Sequence, residues 1–242
     1  MPEVSTAPLK NRRVLVVGRS GGIARSVVEL VRAAGAEVIA AGRSAGKLAA
    51  AYDDPGTTCE TVDVTDESSV GSLAERVGPV DHIVATASAR ARGKVGDLDH
   101  DTVLLSFDTK VVGPMLLAKY FAPTMAKDGS LVLLSGSTTR KPAAGMIAVG
   151  ATNAAADVVA RYLAVELAPI RVNAISPGTI DTGAYDALGE EKKAELFAKR
   201  SQSNPARRIG AADDIAHAVL FALTNTFVTG SSISVDGGEP LI

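Results

Sequence analysis

The chain has 242 residues, 46% of them hydrophobic but only 4% aromatic, with a formal charge of -2 and a pI near 6.0. That length can bury a substantial core packed by small aliphatics, and the charge argues against nucleic acid or an anionic membrane as partner. A single cysteine, Cys59, excludes an intrachain disulfide and fits a reducing cytoplasm. His82, His100 and His217 are far apart in sequence, so no metal site is expected. The start, MPEVSTAPLKNRR, has no apolar signal-peptide core, and no apolar run approaches the length of a bilayer span. The expectation is a cytoplasmic protein of one domain over 1–242, with 1–11 a flexible N-terminus.

Strands are predicted at 13–18 (RVLVVG), 36–41 (AEVIAA), 59–64 (CETVDV), 81–86 (DHIVAT), 130–135 (SLVLLS), 170–176 (IRVNAIS) and 231–236 (SSISVD). Several are apolar nearly throughout, as parallel strands buried on both faces are. Helical patterns fall between them near 22–35, 67–77, 101–126, 147–168 and 212–224. Strands alternating with helices through short connections predict an α/β fold, a doubly wound parallel sheet of Rossmann type. Ligands of such sheets bind at the carboxyl ends of the strands.

The first strand runs into GRSGGIAR, residues 18–25. Gly18 permits a tight turn, Gly22 a close backbone approach, and Ala24 a helix packed near its strand. With Arg19, Ser20 and Ile23 these residues place a helix N-terminus against an anion. A structural strand-to-helix turn is the plainer reading; the position inside a βαβ unit favours a dinucleotide. An acid at the end of the second strand would hold the ribose hydroxyl of NAD, whereas a basic residue suits the extra phosphate of NADP. The strand ends AAGRS, with Arg43 and Ser44 where an acid would stand. Arg19 and Arg43 could clamp a phosphate, though both could equally face water. NADP is expected rather than NAD.

These features, from about residue 12 to 240, resemble the short-chain dehydrogenase/reductase family. GRSGGIA is similar to its TGxxxGIG, with Val17 and Ala24 replacing Thr and Gly. The resemblance implies that Asp63 and Val64 hold the adenine ring. It places Ala85, Thr86 and Ala87 along the cofactor, and Pro177, Gly178, Thr179 and Ile180 (in SPGTIDT) by the nicotinamide. RRIGAADDIAHAVLFAL and FVTGSSISVDGG look like the family's C-terminal segments.

The departures fall at the chemistry. The family's NNAG reads ATAS, Ala85 to Ser88, and its N-x-x-G reads Lys110-Val111-Val112-Gly113. Its Y-x-[AS]-[ST]-K reads Val149-Gly150-Ala151-Thr152-Asn153, so Val149 stands for the proton donor and Asn153 for the lysine. Ser137, twelve residues before Val149, matches the family's serine. Tyr120 and Tyr162 lie too far away for a shifted register to restore the phenol.

Losing a general acid costs on the order of 10²–10⁴-fold, so activity is not excluded. Lys110, if desolvated, could donate a proton or hold an anion; otherwise it is a solvated helix lysine. Ser137 could bond a carbonyl oxygen or only nearby backbone. Tyr185 reads as lid packing within the helical, charged 183–205 segment, and Lys141 as solvated. Two functions remain: an NADP-dependent oxidoreductase on a carbonyl or alcohol with an altered proton path, or an inactive cofactor-binding sensor or partner subunit. The resemblance implies a homodimer or homotetramer built on helices 101–126 and 147–168, whose second member is rich in alanine.

Overall fold

The computed structural model describes residues 7–242. Seven strands form its sheet: β1 (Arg13–Val17), β2 (Glu37–Gly42), β3 (Thr57–Thr61), β4 (His82–Ala85), β5 (Ser130–Leu134), β6 (Arg171–Pro177) and, last in the chain, β9 (Ser232–Val235). Their order is β3-β2-β1-β4-β5-β6-β9, with every pair parallel. The two edge strands, β3 and β9, are partly exposed, while β4 and β5 are buried along their whole length. That is why the central strands are unbroken apolar runs. Two further strands, β7 (Ile180–Asp181) and β8 (Gly210–Ala211), pair with each other in a separate two-stranded sheet.

Helices α1 (Ile23–Ala33) and α8 (Ala212–Thr224) cover one face. The other face carries α3 (Glu67–Val77), α5 (Gly113–Phe121) and α6 (Ile147–Glu166). Each face has its own core: Val27, Val31 and Ile215 on the first, Leu73, Leu117 and Phe121 on the second. A short helix α2 (Ala45–Ala51), unforeseen in the sequence, follows β2, and its N-cap Ser44 accepts a bond from Lys47 N–H at 3.3 Å. The lid segment folds as α7 (Glu190–Ser203), with no fully buried residue.

The structure changes three expectations. Residues 59–64 are not one strand: β3 spans Thr57–Thr61, and Asp63 opens a turn whose Oδ1 accepts from Thr65 N–H at 3.0 Å. The predicted helix 101–126 is three segments: α4 (His100–Phe107), a wider π turn over Asp108–Val112, then α5. Of the N-terminal residues expected to be flexible, 1–6 lie outside those described. Residues 7–11 form a turn in which Leu9 is buried and its N–H bonds Ala34 O at 2.9 Å. An apolar side chain with a place in the core ties that turn down.

Candidate active site

The strand order reverses between β1 and β4, and Thr86 bridges the two strand ends there: its N–H and hydroxyl bond Val17 O at 2.8 and 3.0 Å. A side chain at Gly18 would collide with Thr86, and one at Gly42 with the Gly18 carbonyl, so only glycine permits this close packing of β1, β2 and the turn after β4. Gly22, at φ 58°, starts α1 without any side-chain cap. The first N–H groups of α1 are therefore unspent, as a phosphate-binding helix start requires. Gly113 packs against Val64 so closely that an added Cβ would lie 3.0 Å from the valine's own. That contact ties the turn after β3 to α5.

The two expected arginines separate. Arg19 donates to the Thr182 carbonyl across the crevice, whereas Arg43 is exposed and makes no hydrogen bond or ion pair with another described residue. That bond uses one N–H of the Arg19 guanidinium, which has five, and Arg43 with Ser44 forms the exposed basic end of β2. Pro177 to Ile180 leave β6 under restraint. Thr179 N–H bonds Glu239 Oε2 at 3.2 Å, Thr179 Oγ1 accepts from Arg200 of α7, and Gly178 has no room for a side chain beside Asp236. Lys141 is not simply solvated: its ammonium donates to Glu239 O at 2.9 Å, pinning the same C-terminal turn. Arg140 joins in through Asp236 at 2.8 Å and Ser176 Oγ at 3.2 Å. Tyr185 packs edge-on to Phe197 of α7, centroids 5.4 Å apart, as lid packing would have it.

The decisive feature lies deeper. Lys110 is only 7% exposed, so it is not a solvated helix lysine. From the π turn its ammonium donates to Ser135 O at 3.0 Å and to Asn153 Oδ1. Asn153 in turn donates to Thr138 Oγ1 at 2.6 Å, and its carbonyl accepts from Ser135 Oγ at 3.2 Å. Gly136 lets the Asn153 amide sit there, since any side chain at 136 would strike it. Burial pushes Lys110 down to about 7; the charge of Arg90 adds to that, and Asp157 opposes it. An ammonium has three N–H donors, and two are used.

Ser137 stands at the start of the turn after β5, nearly buried, with its hydroxyl in no side-chain hydrogen bond. Val149, 6% exposed, lies one helical turn before Asn153 on α6. Thus the amide and the ammonium that the sequence places at exchanged positions meet in space. Sequence reasoning missed Ser135, Thr138 and the contact itself, which joins residues 43 apart. The missed Arg140 and Glu239 had no motif to mark them.

A doubly wound sheet with an uncapped glycine-rich turn at its switch point defines a dinucleotide-binding domain. The family model described as "Enoyl-(Acyl carrier protein) reductase" matches residues 17–239. The chain belongs to the short-chain dehydrogenase/reductase family, a family of oxidoreductases. It is similar to a small-chain dehydrogenase solved in complex with NADPH: 33% identity, TM-score 0.81, covering 96% of this chain and 99% of that one. It is 28% identical to L-xylulose reductase of Mesocricetus auratus, over 95% of this chain and 97% of the relative. It is 32% identical to the short-chain dehydrogenase/reductase ucsE of Acremonium sp, over 66% of this chain and 62% of the relative. Among the described residues no helix is long and apolar enough to cross a membrane, and no cluster could hold a metal ion.

Proposed function

We propose that this chain is an NADP(H)-dependent oxidoreductase that interconverts a carbonyl and an alcohol, with Lys110 in place of the family's usual lysine. The glycine turn at the switch point, close-packed at Gly18 and Gly42, and the uncapped start of α1 fit a dinucleotide. In this reading the first N–H groups of α1, with Ser20 and Ile23, hold the pyrophosphate, and Arg43 with Ser44 holds the extra phosphate of NADP. Asp63 and Val64 flank the adenine. Ala85 to Ala87 and Pro177 to Ile180 line the nicotinamide end. When bound, the nicotinamide supplies or takes the hydride.

The chain's own residues manage the oxygen. Reduction adds a hydride to the carbonyl carbon and a proton to its oxygen. The Ser137 hydroxyl donates to that oxygen, and the unspent N–H of Lys110 provides the positive charge and the proton. A donor with a pKa near 7 is matched to neutral pH. The carrying observation is the buried Lys110 ammonium held by Asn153 Oδ1 and by the carbonyl of Ser135, two residues before Ser137 in the chain. The plainer alternative, a helix lysine with its charge in water, does not describe this buried side chain.

Val149 at the phenol position supports a second reading, a cofactor-binding protein without turnover. The two part on one experiment: mix the protein with NADPH and a panel of ketones, quinones and enones, and follow nicotinamide absorbance. Consumption with any of them supports the oxidoreductase; NADPH binding without consumption favours the inactive sensor or partner subunit.

The same reading includes self-association. Met115, Val158, Tyr162 and Val165 leave an exposed apolar strip on α5 and α6, beside a groove lined by Ala118, Leu163 and Ile170. A patch of this kind on a water-soluble face marks an interface.

A further inference from the structure

None of the residues of the lid helix α7 is fully buried, so little apolar area holds it in place. Its position rests on polar bonds, and among the described residues two of its side chains bond beyond the lid. Lys193 pairs with Asp181 of β7 at 2.9 Å, a partly exposed ion pair of the kind worth little. Arg200 reaches inward instead, and its partners are buried: Thr179 is 4% exposed and Glu239 6%. A charged donor among buried partners makes the stronger tie.

Glu239 is the unusual member of this group. Its Oε2 accepts from Thr179 N–H at 3.2 Å, whereas its Oε1 is buried without a hydrogen-bond partner. The guanidinium of Arg200 lies 3.9 Å from that oxygen while it donates to Thr179 Oγ1. Thr179 is thus gripped twice, at its amide by the carboxylate and at its hydroxyl by the lid. The turn that carries Glu239 is itself fixed. Lys141 bonds the Glu239 carbonyl at 2.9 Å, and Gly237 O accepts from Ala206 N–H, just past the lid, at 3.0 Å. Swinging α7 outward would take the guanidinium away and leave a buried carboxylate without its cation. Breaking a buried pair in this way costs far more than parting an exposed one.

We propose that Arg200 is a positioning residue. Through Thr179 and Glu239 it makes the seating of α7 and the placement of residues 177–180 a single event, so the lid closes only over a segment already in register. The proposal rests on the oxidoreductase reading, in which that segment lines the nicotinamide end beneath the lid. Arg200 acts through Thr179 rather than on cofactor or substrate, and Glu239 is what makes its departure costly.

The test is amide hydrogen exchange on the full-length protein, read by mass spectrometry in peptides covering 177–181 and 190–203, with β4 and β5 as the reference, without and with NADPH. Arg200→Gln should speed exchange in both regions by on the order of tenfold or more, the effect of losing a charge-assisted bond, and leave the two strands unchanged. Glu239→Gln changes a residue outside the lid and keeps an amide oxygen for Thr179 N–H, yet it should also free α7. Arg200→Lys, which keeps the charge, should restore part of the protection in both regions. In the wild-type protein NADPH should slow exchange in both regions; in Arg200→Gln it should slow 177–181 alone. Release of α7 by Arg200→Gln with no change in 177–181 overturns the proposal, as does an α7 indifferent to Glu239→Gln. Faster exchange spread equally over β4 and β5 overturns it too, because Arg200 would then serve general stability. If NADPH slows neither region of the wild-type protein, the dinucleotide reading fails, while the response to the variants still decides the coupling.

Discussion

Replacing Lys110 with Met keeps an apolar stem of similar length and deletes a buried charge. In the folded protein burial holds this lysine at about 7, against an ordinary value of 10.5. Between those two values the unfolded chain binds a proton that the folded protein has released. Stability therefore rises with pH across that window, and the burden of the buried ammonium is fully present below it. From about pH 7 to about pH 10 this one group should change the stability of the wild-type protein by about 3 kcal/mol. The variant leaves Ser135 O and Asn153 Oδ1 without their donor, at about 1–3 kcal/mol each. That loss is nearly the same at every pH, so it displaces the stability curve without tilting it. Urea unfolding of both proteins across the pH series gives the comparison. The wild-type protein should gain on the variant by about 3 kcal/mol as pH rises. Parallel curves would show that Lys110 keeps its proton in water, and the buried-ammonium argument would fail.

Other outcomes follow from single residues. Arg43→Ala should narrow a preference for NADPH over NADH by on the order of tenfold, because a charge-assisted contact to phosphate is lost; equal cofactor affinities in the parent, read by fluorescence titration, would refute it. Val149→Tyr alone should speed reduction of an activated ketone by on the order of 10²-fold or more, since the ammonium of Lys110 already stands at Asn153; if the gain instead requires Asn153→Lys, the exchange of roles is wrong. His82 is held down to about 4 by burial, against 6.5 in an unfolded chain. Its contribution, intact above about pH 6.5, is lost as pH falls towards 4, by about 3 kcal/mol; a His82→Leu variant with the same acid sensitivity would contradict this. Light scattering should find a dimer or tetramer, and a monomer at working concentration would remove the proposed interface.

The fold was legible because its central strands are buried on both faces and must be apolar throughout. The boundaries of α3 and α8 also matched their patterns, helped at α3 by Asp66, which caps Ser68 N–H at 2.9 Å. The end of β3 was misplaced because Thr61 to Val64 remain extended in composition while Asp63 turns the chain. α2 escaped notice because seven residues of AGKLAAA bury only Leu48. At the site, motif order revealed what was missing at Val149 and Asn153. It did not reveal that Lys110 reaches Asn153, since the π turn at Asp108–Val112 sets the direction of that side chain. A periodicity of 3.6 contains no signal for such a turn. The bond from Arg19 to the Thr182 carbonyl, across 163 residues, also has no signal in the sequence.

The central claim is that Lys110 supplies the charge and the proton that the missing Tyr and Lys would otherwise supply. The most direct measurement is the rate of NADPH consumption by the wild-type protein and by Lys110→Met, on whichever carbonyl compound the wild-type protein reduces, over a range of pH. The account predicts that wild-type activity declines as pH rises above about 7, where the ammonium loses its proton. It predicts that the variant binds NADPH normally yet is slower by on the order of 10²-fold or more, with no such decline. A variant that matches the wild-type rate and pH profile would contradict it.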